Sequence, residues 1–317
     1  MRRRLGAAEA VFPLAVLAAL LAGCDQTRTR ILIADAGNDR IVQMNDLSGT
    51  GFTSFAYPRV NSSLIAPVAV AVDSRGRIYA VDAGDDNISR MDNITGANFV
   101  TLGRPGSGVG EFSFPFGMAI DAQDRIYVVD SDNDRLVRMD AIDGSGWTSL
   151  GSPGSGPNEF REPEDVAIDS AGRIYVTDRG NHRIVRVDDM GGSAWTTYGR
   201  AGVQKLGPGV FDLLGGIAVG KDGRIYVTDT NENVVISIDD MTGAGYAYFG
   251  YVGSNSLFKQ PTGLWVDGSA PIYVASQNSN QIARFSDITG VSYQAFGGSG
   301  TSRLEEPIDV VVAHIAQ

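Results

Sequence analysis

An all-β fold of six four-stranded sheets set around one axis is what this sequence predicts, on three observations. A strand-like hexapeptide recurs as RILIAD (30–35), RIYAVD (77–82), RIYVVD (125–130), RIYVTD (173–178), RIYVTD (224–229) and PIYVAS (271–276). The steps between their last residues are 47, 48, 48, 51 and 47. A second element keeps that rhythm: PVAVAVD (67–73), PFGMAID (115–121), PEDVAID (163–169), LGGIAVG (214–220), PTGLWVD (261–267) and PIDVVVA (307–313). Third, no stretch after residue 24 carries the i, i+3, i+4 spacing of an amphipathic helix. A fixed period of this size means one supersecondary unit stacked on copies of itself.

The chain begins with a segment outside the repeats. MRRR is a positive n-region, VFPLAVLAALLAG (11–23) a 13-residue apolar run, and LAGC (21–24) places small residues before the single cysteine. Such a run is too short to span a bilayer as a stable helix and reads as a secretion signal. L-A-G-C resembles the lipobox of bacterial lipoproteins. That resemblance implies cleavage before Cys24, lipid on its thiol and an acylated amino terminus, with residues 24–29 as a tether. Each buried CH₂ of an acyl chain contributes roughly 0.8 kcal/mol of membrane anchoring. The expected location is therefore the bacterial cell envelope, with the domain facing the periplasm or the exterior.

Loss of residues 1–23 removes three of 26 basic and one of 37 acidic residues, so the mature chain carries a formal charge of −13. This argues against nucleic acid or anionic lipid as a general partner. With Cys24 lipidated, no cysteine is left for a disulfide, a thiol nucleophile or a thiolate metal site. Stability has to come from packing and closure.

One unit shows the four strands in order. PEDVAID (163–169) is the first, SAGR (170–173) a tight turn, and RIYVTD (173–178) the second, rich in β-branched and aromatic residues. RGNH (179–182) is a hairpin loop, RIVRVDD (183–189) the third strand, MGGS (190–193) a turn and AWTTYG (194–199) the fourth. Alternation puts Ile174, Val176 and Asp178 on one face and Tyr175 and Thr177 on the other, both largely apolar. Each sheet therefore needs a neighbour on both sides. Six sheets around an axis satisfy this, as in a six-bladed β-propeller. The first strands alternate small residues (Ala69/Ala71, Gly117/Ala119, Asp165/Ala167, Gly216/Ala218) with larger ones, as a wedge at the axis requires. Trp265 breaks that pattern and predicts different packing in its blade.

The ends predict closure. The hexapeptide at 30–35 has no first strand before it, and PIDVVVA (307–313) is a first strand with nothing after it. Joined, they complete the sixth sheet, with the C-terminal strand innermost in the first blade and one exposed edge removed.

The pattern G-I-A-V-D, R-I-Y-V-x-D, x-x-N-x-R-I resembles that of NHL repeats, with Asn181-His182-Arg183-Ile184 the strongest copy and weaker ones at 38–41, 133–136, 86–89, 231–234 and 279–282. The resemblance covers residues 30–317 and implies a six-bladed propeller. As to activity it implies a spread of protein-binding, RNA-binding, ligand-sensing and occasional enzymatic roles.

Candidate chemistry sits on one face. Long glycine-rich loops lead into the first strands at 103–114, 151–162, 199–213, 250–260 and 297–306. Their G-x-x-G-x-G runs precede strands, so they lack the helix terminus of a phosphate loop and read as turn chemistry. Two residues after each proline, or after Leu214's counterpart position, stand Ala69, Gly117, Asp165, Gly216, Gly263 and Asp309. Asp165 and Asp309 fall three blades apart, facing each other across the channel. With Phe116, Glu164 and Arg179 they form the candidate ligand-binding set. The repeated Asp82, Asp130, Asp178 and Asp229 read as scaffold acceptors for loop amides and arginines. Asp130, Asp132 and Asp134 resemble the start of a calcium loop without its glycine and distal glutamate. Only His182 and His314 are present, too few for the three-histidine zinc centre known on one six-bladed NHL relative. His182 occupies the position of Asp39, Asp134, Asn233 and Asn280 in other copies, which points to a structural role.

Two functions are expected. One is a lipid-tethered module binding a protein, peptide or glycan, with no cofactor. The other is a hydrolase or lactonase whose channel cation, Ca²⁺ or another divalent ion, is held by Asp165 and Asp309 and activates water.

Overall fold

The computed structural model describes residues 28–56, 67–200, 206–250, 257–298 and 303–315. The leader, Cys24, most of the tether and parts of four loops, at 57–66, 201–205, 251–256 and 299–302, lie outside the described residues. The described chain forms six separate four-stranded antiparallel sheets arranged as propeller blades. Blade 1 holds β1 (Arg28–Asp35), β2 (Arg40–Met44), β3 (Thr53–Ala56) and, innermost, β24 (Pro307–Ile315). Blade 2 is β4 (Ala69–Val72), β5 (Ile78–Asp82), β6 (Asn87–Met91) and β7 (Val100–Leu102). Blade 3 is β8 (Pro115–Ile120), β9 (Ile126–Asp130), β10 (Arg135–Met139) and β11 (Thr148–Leu150). Blade 4 is β12 (Pro163–Ile168), β13 (Ile174–Asp178), β14 (Arg183–Val187) and β15 (Thr196–Tyr198). Blade 5 is β16 (Leu214–Val219), β17 (Ile225–Asp229), β18 (Val234–Ile238) and β19 (Ala247–Gly250). Blade 6 is β20 (Pro261–Val266), β21 (Ile272–Ser276), β22 (Gln281–Phe285) and β23 (Gln294–Gly297).

Closure follows the reading from the ends. β24 pairs antiparallel with β1, Ile31 opposite Val312 and Ile33 opposite Val310. Strand β1 already begins at Arg28, so Arg28 and Thr29 pair with Ile315 and His314. A head-to-tail blade of this kind ties both ends of the repeat region into one sheet.

The second strand of every blade is buried along its whole length from the isoleucine onward. Its two faces enter different cores. Ile174 and Val176 pack with Tyr127 and Val129 of blade 3, while Tyr175 packs with Ile217 and Val227 of blade 5. Each such buried aliphatic side chain is worth roughly 1.5–3 kcal/mol. Threonines stitch three junctions: Thr177 Oγ1 and Thr228 Oγ1 of the hexapeptide donate to Gly215 O at 2.8 Å and Thr262 O at 2.7 Å, and Thr262 Oγ1 of the inner strand β20 donates to Ile308 O at 2.7 Å.

The long loops are more firmly seated than glycine content alone suggests. Each carries one apolar plug: Phe112, Phe160, Phe211, Phe258 or Leu304, all at most 2% exposed. Phe112 lies 5.3 Å from Trp147 and Phe160 5.3 Å from Trp195, ring centre to ring centre. These plugs tie the loop-rich face to the blade edges beneath it.

Candidate functional site

The inner strands bulge just after their first residue, between Pro163 and Val166, Leu214 and Ile217, Pro261 and Leu264, and Pro115 and Met118. A bulge re-aims the intervening side chain and leaves an amide unpaired in the ladder. Asp165 lies within such a bulge and Asp309 follows the register shift that opens β24 after Pro307, and both carboxylates border the same cavities. The larger, of about 150 Å³, is otherwise lined by apolar side chains such as Val70, Met118, Ile217 and Val310, with Trp265. Above it, a vestibule of about 20 Å³ is bounded by Phe116, Glu164, Asp165 and Asp309. The sequence-derived set is thus brought together, with Arg179 joined to it through a 2.8 Å ion pair to Glu164.

Both axial carboxylates already have partners. Asp165 Oδ2 accepts from the amide of Ile217 in the next blade at 2.9 Å. The amide of Val166 also points to Asp165. Asp309 Oδ2 accepts from Val70 N, again in the next blade, at 3.0 Å, and Oδ1 from Val310 N at 2.8 Å. Each aspartate is therefore a latch between adjacent inner strands. Each also needs a glycine behind it, because a Cβ at Gly117 would overlap Asp165 and one at Gly263 would overlap Asp309. Burial pushes the Asp309 carboxyl up to about 7, against the pull of its two amides. Burial, then the neighbouring Asp309, pushes Asp165 well above the usual carboxylate range. Burial likewise raises Glu164, opposed by Arg179.

A divalent cation fits this pair poorly. Calcium takes six to eight oxygen ligands and magnesium an octahedron, whereas here two carboxylates share their lone pairs with amides. Among the described residues, no group of three or more His, Cys, Asp or Glu is placed to hold a metal ion.

The repeated strand-end aspartates act as scaffold. Asp130 accepts from Ser113 N at 2.7 Å, Asn133 Nδ2 at 2.9 Å and Arg135 Nε at 2.7 Å. Asp178 repeats this set with Arg161 N, Asn181 and Arg183. Asp82 takes loop amides from Gly84 and Asp85, and Asp229 from Asp212, Leu213 and Glu232. The calcium-loop likeness dissolves in the same way: Asp130 is occupied as above and Asp134 caps Glu162 N at 2.7 Å.

The glycine loops hold their own anion. Glu159 Oε2 accepts from Ser155 N at 2.9 Å and Gly156 N at 2.7 Å, and Glu111 Oε2 from Gly108 N at 2.8 Å. A glutamate of the same loop occupies the amide cradle where a phosphate would sit.

The two histidines are also structural. His182 takes the left-handed conformation at φ 53° and its Nδ1 lies 2.7 Å from Asp212 O. His314 Nε2 meets Asp267 of blade 6 at 2.9 Å, joining the closing strand to its neighbour. Trp265, the residue that broke the small-large pattern, packs against the cores on both sides of β24 and borders the channel.

Sequence reasoning missed an exposed aromatic pair. Phe114 is 39% exposed, and its ring lies 6.1 Å from that of the partly buried Phe116. Both stand beside the vestibule on blade 3. The signal was FSFPF (112–116), the one copy with an aromatic residue on both sides of the proline.

The NHL-repeat family description matches residues 160–187. No curated protein matches the chain. Among solved structures, a propeller in a nidogen/laminin complex aligns with TM-score 0.69 and 16% identity, over 91% of this chain and 100% of that one. A streptogramin B lyase aligns with TM-score 0.61 and 17% identity, over 88% and 82%. Virginiamycin B lyase from Staphylococcus aureus aligns with TM-score 0.59 and 15% identity, over 92% and 93%. At these identities the likeness is one of fold.

Proposed function

We propose that this NHL-repeat six-bladed β-propeller is a binding module, tethered to a bacterial envelope membrane by lipid on Cys24 and receiving a protein, peptide or glycan on its loop-rich face. The observation that carries this reading is how the polar groups are spent. The axial carboxylates latch neighbouring strands, the loop glutamates fill their own amide cradles, and both histidines hold backbone or blade contacts. General acids, bases and nucleophiles need a reacting partner within hydrogen-bond reach and protons free to move. What this face offers instead is a rigid rim of plugged loops and an exposed aromatic side chain, the material of recognition. A propeller of the same fold occurs in a nidogen/laminin complex.

The test is a peptide and glycan array probed with the full chain in detergent, beside variants in the loops at 103–114 and 151–162. Retention of every ligand by the loop variants would overturn the reading. Mass spectrometry of the mature amino terminus, with Cys24→Ser as control, tests the tether: an unmodified terminus in membrane fractions would remove it.

A metal-dependent hydrolase or lactonase is the second reading, supported by the convergence of Asp165 and Asp309 on one channel. It requires the carboxylates to give up amide partners to a cation. Stoichiometric divalent metal in the purified protein, with a calcium-dependent rise in melting temperature, would favour it over the binding reading.

A further inference from the structure

We propose that the blade 2–4 sector of the loop-rich face, centred on Phe114 and Phe116, docks a basic peptide segment that combines lysine or arginine with an apolar side chain. The proposal rests on the binding reading above and names the partner class for it.

The six repeats supply their own baseline. Immediately before the inner-strand proline stand Ala66, Phe114, Glu162, Gln260 and Glu306, with Leu213 before Leu214 in blade 5. Immediately after it stand Val68, Phe116, Glu164, Gly215, Thr262 and Ile308. Blade 3 alone puts an aromatic ring at both positions. The fold does not demand this, because Glu162, Gln260 and Glu306 adopt the same left-handed backbone as Phe114, at φ 45–52°. The amide of Phe114 is held by Asp86 Oδ1 at 2.6 Å, as Glu162 N is by Asp134. The scaffold thus fixes an aromatic ring at the surface where blades 1, 4 and 6 carry a polar residue and none of the others carries a ring.

The charge around that ring identifies what covers it. Asp86 supports Phe114 directly, and Asp132, Asp134 and Glu162 stand close enough that Asp132's carboxyl is raised by burial and then by Asp86, Glu162 and Asp134. The hairpin tips of blades 1–3 carry Asp39, Asp85, Asp86, Asp132 and Asp134, that of blade 5 (TNEN) carries the buried Glu232, and those of blades 4 and 6 (RGNH and QNSN) carry no acid. The face is therefore polarised, with its acidic half surrounding the aromatic pair. A ring face flanked by carboxylates attracts a guanidinium or ammonium through both the quadrupole and the Coulomb field. An acidic or purely apolar segment meets repulsion or gains nothing from the rim. Beside Phe116 the vestibule of about 20 Å³ has room for a single group of water or ammonium size.

The experiment measures fluorescence anisotropy of two labelled dodecapeptides on the full chain in detergent. One alternates lysine with phenylalanine and leucine; the other replaces each lysine by glutamate. The basic peptide is expected to bind at least about tenfold more tightly, and to weaken as salt rises. Phe114→Gln, which installs the residue of blade 6, is expected to weaken it about fivefold or more, and Asp132→Asn about threefold. Lys259→Gln, on the other half of the face, is expected to leave it unchanged, with melting temperature confirming that each variant is folded. Equal binding of the two peptides, or an unaffected Phe114→Gln, overturns the docking site. An array ligand lost in Lys259→Gln but kept in Phe114→Gln leaves the binding module standing and removes this site. Absence of any ligand for folded protein removes both.

Discussion

Replacing Asp309 by asparagine separates a latch that works as a charged group from one that works as a neutral acceptor. The Asp309 carboxyl is raised from 3.8 to about 7, mainly by burial. A group that holds its proton more tightly in the folded chain contributes stability below its unfolded value, here below about pH 4, and loses it as pH climbs to about 7. Three units at about 1.4 kcal/mol each set a ceiling of about 4 kcal/mol. The side chain keeps some exposure to the channel, and the amides of Val70 and Val310 favour the anion, so about 1–2 kcal/mol is the expected size. Asparagine carries no charge at any pH and keeps one acceptor oxygen. Asp309→Asn is therefore expected to match the parent near pH 4 and to exceed its stability by about 1–2 kcal/mol at pH 8. Urea unfolding of the full chain, followed by the fluorescence of Trp147, Trp195 and Trp265 at pH 4, 6 and 8, reads the difference. A variant less stable than the parent at pH 8 by about 1 kcal/mol or more, or a difference independent of pH, would refute the reasoning and show a charged anchor.

Three further outcomes follow from the same packing. Gly117→Ala and Gly263→Ala, whose new methyl groups overlap Asp165 and Asp309, are each expected to cost about 1–3 kcal/mol in urea unfolding, whereas Gly207→Ala, with open space around it, stays near neutral. Phe160→Ala removes a plug with no exposed surface and is expected to cost about 3–5 kcal/mol, while Phe114→Gln changes thermal stability by no more than about 0.5 kcal/mol. Deleting residues 304–317 strips β24 from blade 1 and is expected to abolish the cooperative melting transition seen by circular dichroism; a truncated chain that melts like the parent contradicts the closure.

What the sequence made legible was local or periodic. The hexapeptide announces the second strand because β-branched and aromatic residues fill a strand buried on both faces. The unmatched strands at the two ends give the closure once the period is counted. The hairpin position of Asp39, Asp86, Asp134, His182, Asn233 and Asn280 is left-handed throughout, at φ 50–61°, and Asx residues favour that conformation. This is why His182 reads correctly as structural. The latch role of Asp165 was not legible, because its partner is an amide 52 residues away, freed by a bulge that no residue type announces. The turn character of the glycine loops was legible, but the burial of the phenylalanines that plug them was not, because it depends on contacts with neighbouring strands. Glu111 and Glu159, two residues of the same loops, settle the G-x-x-G-x-G question only through geometry.

The distribution of exceptions around the ring decides where recognition belongs. Asp165 and Asp309 look like a site because they are the two acids at a six-fold position. Yet each comes with its own compensation, a glycine in the preceding blade (Gly117, Gly263) and an amide in the following one (Ile217, Val70). An exception with matched neighbours on both sides is one the scaffold has absorbed, and its energy is spent within the ring. Phe114 has no such compensation. Its backbone bond to Asp86 is the one its polar counterparts also make, and its ring, though 6.1 Å from that of Phe116, leaves apolar surface in water, against the roughly 25 cal/mol per Å² that burial would return. This is the asymmetry on which the proposed docking sector of blades 2–4 rests, with the axial pair below it left to the scaffold.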